Sequence, residues 1–346
     1  MRRLSYLLLF LVLAGCSGRA GETQTAGVQE TVRYAGGAMG TTYSIVQAAS
    51  QEGAVPQARV DSLLDALNAS LSTYIPSSII SDVNASTDTS RWFALDDHFA
   101  QVMTRSAELH ERSGGAFNPA IGPLIDAWGF GAEGPTGTPS EAEIDRLLAM
   151  VDFSGLVFDA SRPALKKGHP EASLNFNAIA KGYGVDIVGE LIESHGITDY
   201  FVEIGGEVRT RGMHPEGRAW RVGIERPADN MLASQAAQQV AELGDAAMAT
   251  SGNYRNYIER DGQRFAHIID PASGRPETTS VLSATVIAPD CMTADAWATA
   301  FVVMGATAAL ELVESDPTLE AYFILAGEGD AYDIRMSSGM SSYLAD

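Results

Sequence analysis

Asp295 and Thr299 are the residue pair whose types and spacing best suit a hard cation. They stand four apart in a segment whose apolar residues recur at helical intervals. In a helix, side chains four apart lie one above the other. A carboxylate and a hydroxyl so stacked can ligate Mg²⁺, with phosphate oxygens and water completing an all-oxygen shell. Trp297, Ala300, Phe301 and Met304 fall together on the opposite face, which must be buried. Thr293 is placed to cap this helix, expected over residues 294–304, with Asp295 in its first turn. Taken alone, the spacing favours solvated polar residues at a helix start, where the dipole suits a carboxylate. A cation site is the alternative.

Three other segments carry possible chemistry. The first is Asn177-Ala178-Ile179-Ala180-Lys181-Gly182-Tyr183-Gly184. Gly182, Gly184 and Gly189 weaken a helix by about 1 kcal/mol each relative to Ala, so a close approach by a ligand or strand must offset them. Lys181 could meet a phosphate or simply face solvent. The second is Ser113-Gly114-Gly115-Ala116-Phe117-Asn118-Pro119, whose small residues let backbone approach an aromatic ring. By itself it is a helix stop and turn. The third is His267, within Phe265-Ala266-His267-Ile268-Ile269-Asp270-Pro271. A structural His at a strand end is the commoner arrangement; chemistry is the alternative.

The familiar nucleotide loops are missing. There is no GxxxxGKS/T, and no GxGxxG between a strand and a helix. Ile204-Gly205-Gly206-Glu207 reads as a tight turn between strands. Thr250-Ser251-Gly252 lacks the serine-hydrolase elbow, and the six His show no HExxH spacing.

Helices and strands must position these residues. Residues 32–48 read as a hairpin around Gly36–Gly40, and 60–71 as a helix. Residues 99–112 form a helix stopped by Gly114-Gly115. Ser140 opens a short helix, with Glu143 completing a capping box. Residues 178–194 form a helix closed by Gly196. Residues 200–211 read as two strands joined at Gly205-Gly206, and 220–225 as one strand. Residues 254–269 read as a hairpin turning at Asp261-Gly262. Residues 281–288 form a strand before the Asp295 helix. The mixture lacks a regular βα alternation, which favours an α+β fold over a doubly wound sheet.

The 346 residues suit one large domain or two modest ones, and no repeat or low-complexity stretch marks a second. A net charge of −21 makes a nucleic-acid partner unfavourable. Any phosphate-bearing ligand would need a metal, local cations or N–H donors to offset repulsion. At the N-terminus, Arg2 and Arg3 precede an apolar run over residues 4–13, too short to span a membrane. Leu13-Ala14-Gly15-Cys16 resembles a bacterial lipobox. It implies a signal peptide over 1–15 and a diacylated Cys16. Residues 16–31 then read as a flexible tether, and 32–346 as the folded domain. With Cys16 acylated, Cys291 has no partner for an internal disulfide.

Taken together, these segments resemble the ApbE family of FAD:protein FMN transferases. The resemblance runs from about Met39 to Met304. Its blocks appear in family order: Met39-Gly40-Thr41-Thr42-Tyr43; Ser72-Thr73-Tyr74; Gly114 to Pro119 with Gly122-Pro123-Leu124 and Trp128-Gly129-Phe130-Gly131; Ala178 to Tyr183; Gly205-Gly206-Glu207; Ala249 to Arg255; His267 to Pro271 with Gly274 and Pro276; and Met292-Thr293-Ala294-Asp295-Ala296. The resemblance implies a single α+β domain related to the T-fold. It implies that Met39, Tyr74, Ala116, Phe117, Asn118 and Asn177 line an FAD site, with Thr250, Ser251, Gly252 and Ile269 also part of it. Lys181 would neutralise phosphate charge. Asp295 and Thr299 would hold Mg²⁺ with the carbonyl of Ala180, and His267 would act at the diphosphate. Many members carry Asp where this chain has Asn175, which puts local charge balance in question.

The implied reaction moves FMN from FAD, a substrate here, to Thr or Ser hydroxyls of flavoproteins carrying Asp-x-x-Ser/Thr-Gly-Ala-Ser/Thr. Asp270-Pro271-Ala272-Ser273-Gly274 begins like that motif, but Arg275-Pro276 breaks it, so the chain is not expected to be its own acceptor. Two alternatives use the same site: an FAD diphosphatase giving FMN and AMP, and a non-enzymatic FAD-binding lipoprotein. The lipid anchor implies a bacterial envelope protein on the membrane, facing the periplasm or extracytoplasmic side.

Overall fold

A computed structural model describes residues 30–49, 53–134, 137–227, 237–252, 257–260, 263–328 and 331–345. The expected signal peptide, Cys16 and most of the expected tether lie outside the described residues. The chain begins with β1 (Thr31–Ala38), β2 (Thr41–Ala48), α1 (Gln57–Leu71), α2 (Ile79–Ala85), β3 (Phe93–Ala94) and α3 (Asp97–Arg112). There follow α4 (Gly122–Trp128), α5 (Glu141–Leu148), β4 (Leu156–Asp159), β5 (Ala164–Lys167) and α6 (Ala180–Glu193). Next come β6 (Tyr200–Ile204), β7 (Glu207–Arg211), β8 (Trp220–Glu225), β9 (Ala237–Leu243) and β10 (Ala246–Gly252). The remainder is β11 (Tyr257–Arg260), β12 (Gln263–Ala266), β13 (Ile269–Asp270), β14 (Arg275–Pro276), β15 (Val281–Ala288), α7 (Cys291–Ser315), β16 (Glu320–Ala326) and β17 (Tyr332–Met336).

Eight strands form one antiparallel sheet in the order β1-β2-β6-β7-β10-β15-β16-β17. Alternate side chains leave opposite faces of a strand, and the sheet is buried on both. Ala247, Ala249, Val286 and Phe323 join the main core with Trp297 and Phe301 of α7. Met248, Ile287, Tyr322 and Ile324 join a second core under β8 and β9. The fold is therefore α+β in a single domain, as the sequence leads one to expect. The expected helices at 60–71, 99–112 and 178–194 correspond to α1, α3 and α6. Their causes are visible in place. Val60, Leu64, Leu67 and Leu71 of α1 are all buried, and Asp96 caps α3 by accepting the Phe99 N–H. Ser140 caps α5 through the Glu143 N–H.

Some expectations are corrected. β1 begins at Thr31, one residue inside the expected tether. The Asp295 helix starts at Cys291 and is capped by Asp290, whose carboxylate accepts the Thr293 N–H at 2.8 Å. Thr293 is therefore inside the helix, with its hydroxyl buried. Asp290 has both the extended backbone and the side-chain acceptor three residues before that N–H that a cap needs. The helix also runs past Met304, with a non-helical Gly305 at φ +75°. The turn expected at Asp261-Gly262 lies outside the described residues, although β11 and β12 pair in the register such a turn requires.

The glycines of α6 answer a packing demand. A Cβ on Gly182 would stand 2.2 Å from the Cys291 carbonyl oxygen and 2.8 Å from Asp295 Cβ. A Cβ on Gly189 would meet the Tyr200 hydroxyl at 2.8 Å. The close approach is thus made by α7 and β6. Gly182→Ala gains about 1 kcal/mol of helix propensity, but it must push backbone away. Overpacking of this kind costs about 1–3 kcal/mol. Thermal unfolding of Gly182→Ala is expected to show net destabilisation; an unchanged or raised Tm would refute the contact.

Candidate active site

The starts of α6 and α7 meet beneath a cavity of about 850 Å³. Met39, Tyr74, Ala116, Phe117, Asn118, Asn177, Ala180, Lys181, Thr250, Ser251, Gly252, His267, Ile269, Asp295 and Thr299 all line it. Every site residue expected within the described part of the chain is therefore gathered at one place. Cys16 lies outside the described residues.

The floor is charged. Asp295 is 3% exposed, and its Oδ2 accepts the Gly182 N–H at 2.9 Å. Lys181 Nζ donates to Glu207 Oε1 at 2.5 Å and stands 4.0 Å from Asp295 Oδ1. Burial raises the pKa of Asp295, while Lys181 and the Gly182 N–H work the other way. Burial pushes Glu207 up to about 7; Lys181 opposes this and Asp295 adds to it. Burial also disfavours the Lys181 ammonium, but the carboxylates of Asp295 and Glu207 outweigh it and hold its pKa above the ordinary lysine value. Lys181 was expected to meet phosphate. Its present partners are the protein's own acids.

Thr299 stands one turn along from Asp295, and its hydroxyl shares a 2.8 Å hydrogen bond with Ser251 of β10. Thr250 makes a matching 2.8 Å bond to Thr285 on β15. These bonds fix the hydroxyl orientation across helix and sheet. Ala180 opens α6, and its N–H donates to the Phe176 carbonyl. The Gly182 N–H is one of the first-turn donors of α6, which find no acceptor within the helix, and Asp295 satisfies it. Ala180, the expected backbone ligand, lines the cavity at the same helix start.

The donor set fits a hard cation. Glu207 Oε2 is buried without a hydrogen-bond partner, beside a buried carboxylate, a fixed hydroxyl and the backbone at the start of α6. These are oxygen donors, the preference of Mg²⁺. Among the described residues, no three of His, Cys, Asp and Glu gather as a ligand set. A cation here would thus draw on hydroxyl, backbone and ligand oxygens as well.

The walls are mixed. Met39 sits at the β1–β2 turn with φ +53°, a left-handed conformation that is costly outside Gly. Phe117 is buried at 4% exposure, and its N–H donates to Ser113 Oγ. Asn118 spends its amide locally, accepting from the Ala120 N–H and donating to the Val151 carbonyl. Asn175 accepts the Asn177 N–H at 2.9 Å and also lines the cavity. An Asp there would accept the same bond, so the departure from the family residue leaves this turn intact. Tyr74 is 59% exposed at the rim. His267 follows β12, on a segment held to α4 by the Trp128 indole N–H bonded to the Gly274 carbonyl at 2.8 Å.

Two residues escaped the sequence argument. Glu207 was visible only as the end of a Gly-Gly turn, although a Glu opening a buried strand is itself a signal. Asp186 lies mid-helix with no local mark of its use, because its partners are far away in the chain.

Known proteins resemble this chain in sequence and fold. The sequence model of the ApbE family matches residues 39–323. The FAD:protein FMN transferase of Vibrio cholerae is 38% identical over 314 residues, covering 90% of each chain. That of Escherichia coli K12 is 34% identical over 347 residues, covering 99% of this chain and 97% of the relative. The solved flavin transferase ApbE from Vibrio cholerae superposes with a TM-score of 0.82 at 35% identity, covering 91% of this chain and 100% of that one. The ApbE protein from Thermotoga maritima gives 0.80 at 26% identity, covering 92% and 100%. By sequence and fold, the chain belongs to the ApbE family.

Proposed function

We propose that this chain transfers FMN from FAD to a hydroxyl of a protein acceptor, releasing AMP. The observation that carries the proposal is the cavity floor, where Asp295, Thr299 and the start of α6 converge under walls able to take an aromatic ligand. The names and structures of the relatives support the same activity. In the reaction the acceptor oxygen bonds to the FMN-side phosphorus. The bond from that phosphorus to the AMP oxygen breaks, and the acceptor proton is lost. Such transfer depends mainly on alignment and charge neutralisation.

Mg²⁺, held by Asp295, Thr299 and a carbonyl at the start of α6, would neutralise diphosphate charge and fix its geometry. The protein supplies the rest. Asp295 and Thr299 set where the diphosphate must lie. Lys181 lies beside them and adds positive charge to an acidic molecule. Phe117 and the apolar wall hold aromatic parts of the ligand away from water. His267 is assigned to the acceptor hydroxyl, taking its proton or stabilising developing charge. The acceptors are flavoproteins bearing Asp-x-x-Ser/Thr-Gly-Ala-Ser/Thr, and Cys16 is assigned as the lipid anchor at the outer side of a bacterial membrane. The lipobox-like Leu13-Ala14-Gly15-Cys16 supports that location.

Incubation with FAD, Mg²⁺ and a peptide carrying the acceptor motif is expected to yield covalently flavinylated peptide and AMP. Asp295→Asn or thorough chelation should lower the rate on the order of 10²–10³-fold, the scale of lost transition-state charge stabilisation. Free FMN without labelled peptide would instead identify a diphosphatase, and intact FAD a carrier. For His267→Ala, FAD affinity by fluorescence should persist while turnover falls on the order of 10²–10⁴-fold; near-normal turnover removes His267 from the chemistry. Cys16→Ser should move the protein from the membrane fraction to the soluble fraction, and unchanged membrane association would rule out the anchor.

A further inference from the structure

Behind the cavity floor lies a carboxylate that none of the roles above uses. Asp186 of α6 is 4% exposed. Its Oδ1 accepts the Cys291 N–H at 2.9 Å, and its Oδ2 accepts the Met292 N–H at 2.8 Å. These are the first N–H groups of α7, which find no partner within their own helix. Arg209 of β7 donates Nη1 to Asp186 Oδ1 at 3.0 Å. Burial pushes the Asp186 carboxyl up to about 6, with the two N–H donors and Arg209 acting against the shift.

The start of α7 therefore has two carboxylate caps of different kinds. Asp290 belongs to the same stretch of chain and accepts the Thr293 N–H. That cap ends the helix wherever the helix lies. Asp186 comes from another helix, so its bonds fix where α7 starts relative to α6. Asp295 lies one turn further along α7 and reaches back to the Gly182 N–H of α6. Gly182 leaves no slack, since even a methyl group would strike the Cys291 carbonyl. Arg209 and Glu207 are alternate residues of β7 and share a face. One grips Asp186 and the other Lys181. A single strand thus braces both the cavity floor and the tie behind it.

We propose that Asp186 is a positioning residue for the cation site: by fixing the first turn of α7 against α6, it sets Asp295 and Thr299 in register with the mouth of α6. The proposal rests on the reading of that site as Mg²⁺-binding. Asp186→Asn keeps the shape but turns one acceptor into a donor facing a helix N–H or Arg209. Mg²⁺ titrated into purified protein by calorimetry should bind about 10–100-fold more weakly in Asp186→Asn, the usual effect of disturbing groups behind a metal's ligands. The Mg²⁺ concentration giving half-maximal FMN transfer should rise in parallel, while KM for FAD at saturating Mg²⁺ stays within about two-fold, because FAD contacts are untouched. A purely structural role would lower Tm and leave the Mg²⁺ affinity of the folded protein unchanged; that result overturns the proposal. If Asp186→Asn does not fold, Arg209→Lys carries the test. It keeps the charge but loses reach, and a smaller shift in the same direction is expected, whereas unchanged affinity again overturns the proposal. Failure of the unaltered protein to bind Mg²⁺ would sink the site reading itself, and is distinguishable because it appears before any substitution.

Discussion

Two carboxylates, Asp295 and Glu207, are buried side by side around one lysine. Removing such groups from water costs several kcal/mol per ion unless partners compensate. Here compensation is incomplete by design of the site. Lys181 supplies one positive charge between two acids, and the Gly182 N–H supplies a dipole. Glu207 Oε2 receives nothing from the protein. The floor therefore has a standing demand for positive charge. A divalent cation would meet that demand, and would offer charge to a diphosphate that an acidic chain otherwise repels.

That electrostatic demand explains the packing around it. For Asp295 to reach the Gly182 N–H, α6 and α7 must touch backbone to backbone at their first turns. Gly182 is the residue that permits this, and its cost in helix propensity is the consequence. The same closeness lets Asp186 serve the N-terminus of α7 from a neighbouring helix. β7 then links the two systems, because strand periodicity places Glu207 and Arg209 on one face toward α6. The Ser251–Thr299 hydrogen bond closes the arrangement from the β10 side.

Much of this could be read from the chain, and the parts that could not share a physical reason. The β1–β2 hairpin, α1, α3, α5, α6, β8 and β15 announce themselves through local periodicity, capping and turn residues. The Asp295–Thr299 spacing is local too, one helical turn, but taken alone it favours solvated polar residues, and only the family resemblance singles the pair out. By contrast, β10 and β16 are buried on both faces and show no alternation, so sequence offers no period to find. Asp290 and Thr293 both satisfy the local rule for a cap, so the chain alone does not choose between them. Glu207 and Asp186 draw their meaning from partners across the fold, and no local pattern encodes such a contact. The α6 glycines illustrate the middle case. Their cost is legible, whereas the occupants of the space they leave, α7 at Gly182 and β6 at Gly189 and not a ligand, are tertiary facts.

The division of the cavity also constrains how a flavin dinucleotide must lie. Its diphosphate is at the centre of the molecule, with an aromatic ring system at either end. The charged floor occurs once, at the joined starts of α6 and α7, while Ile121, Ile125, Phe130 and Phe117 form apolar wall and Tyr74 stands at the rim. Placing an aromatic end on the floor would bury Asp295 and Glu207 against a ring and leave the diphosphate facing apolar side chains, which is unfavourable for both. The reverse arrangement sets ring against apolar surface and brings the diphosphate to Lys181, where a bound cation would offset its repulsion by the two acids. The bond to be broken would then lie at the floor, beside Asp295 and Thr299. Selectivity for where the molecule is cut would thus follow from the same buried acids that create the demand for a cation.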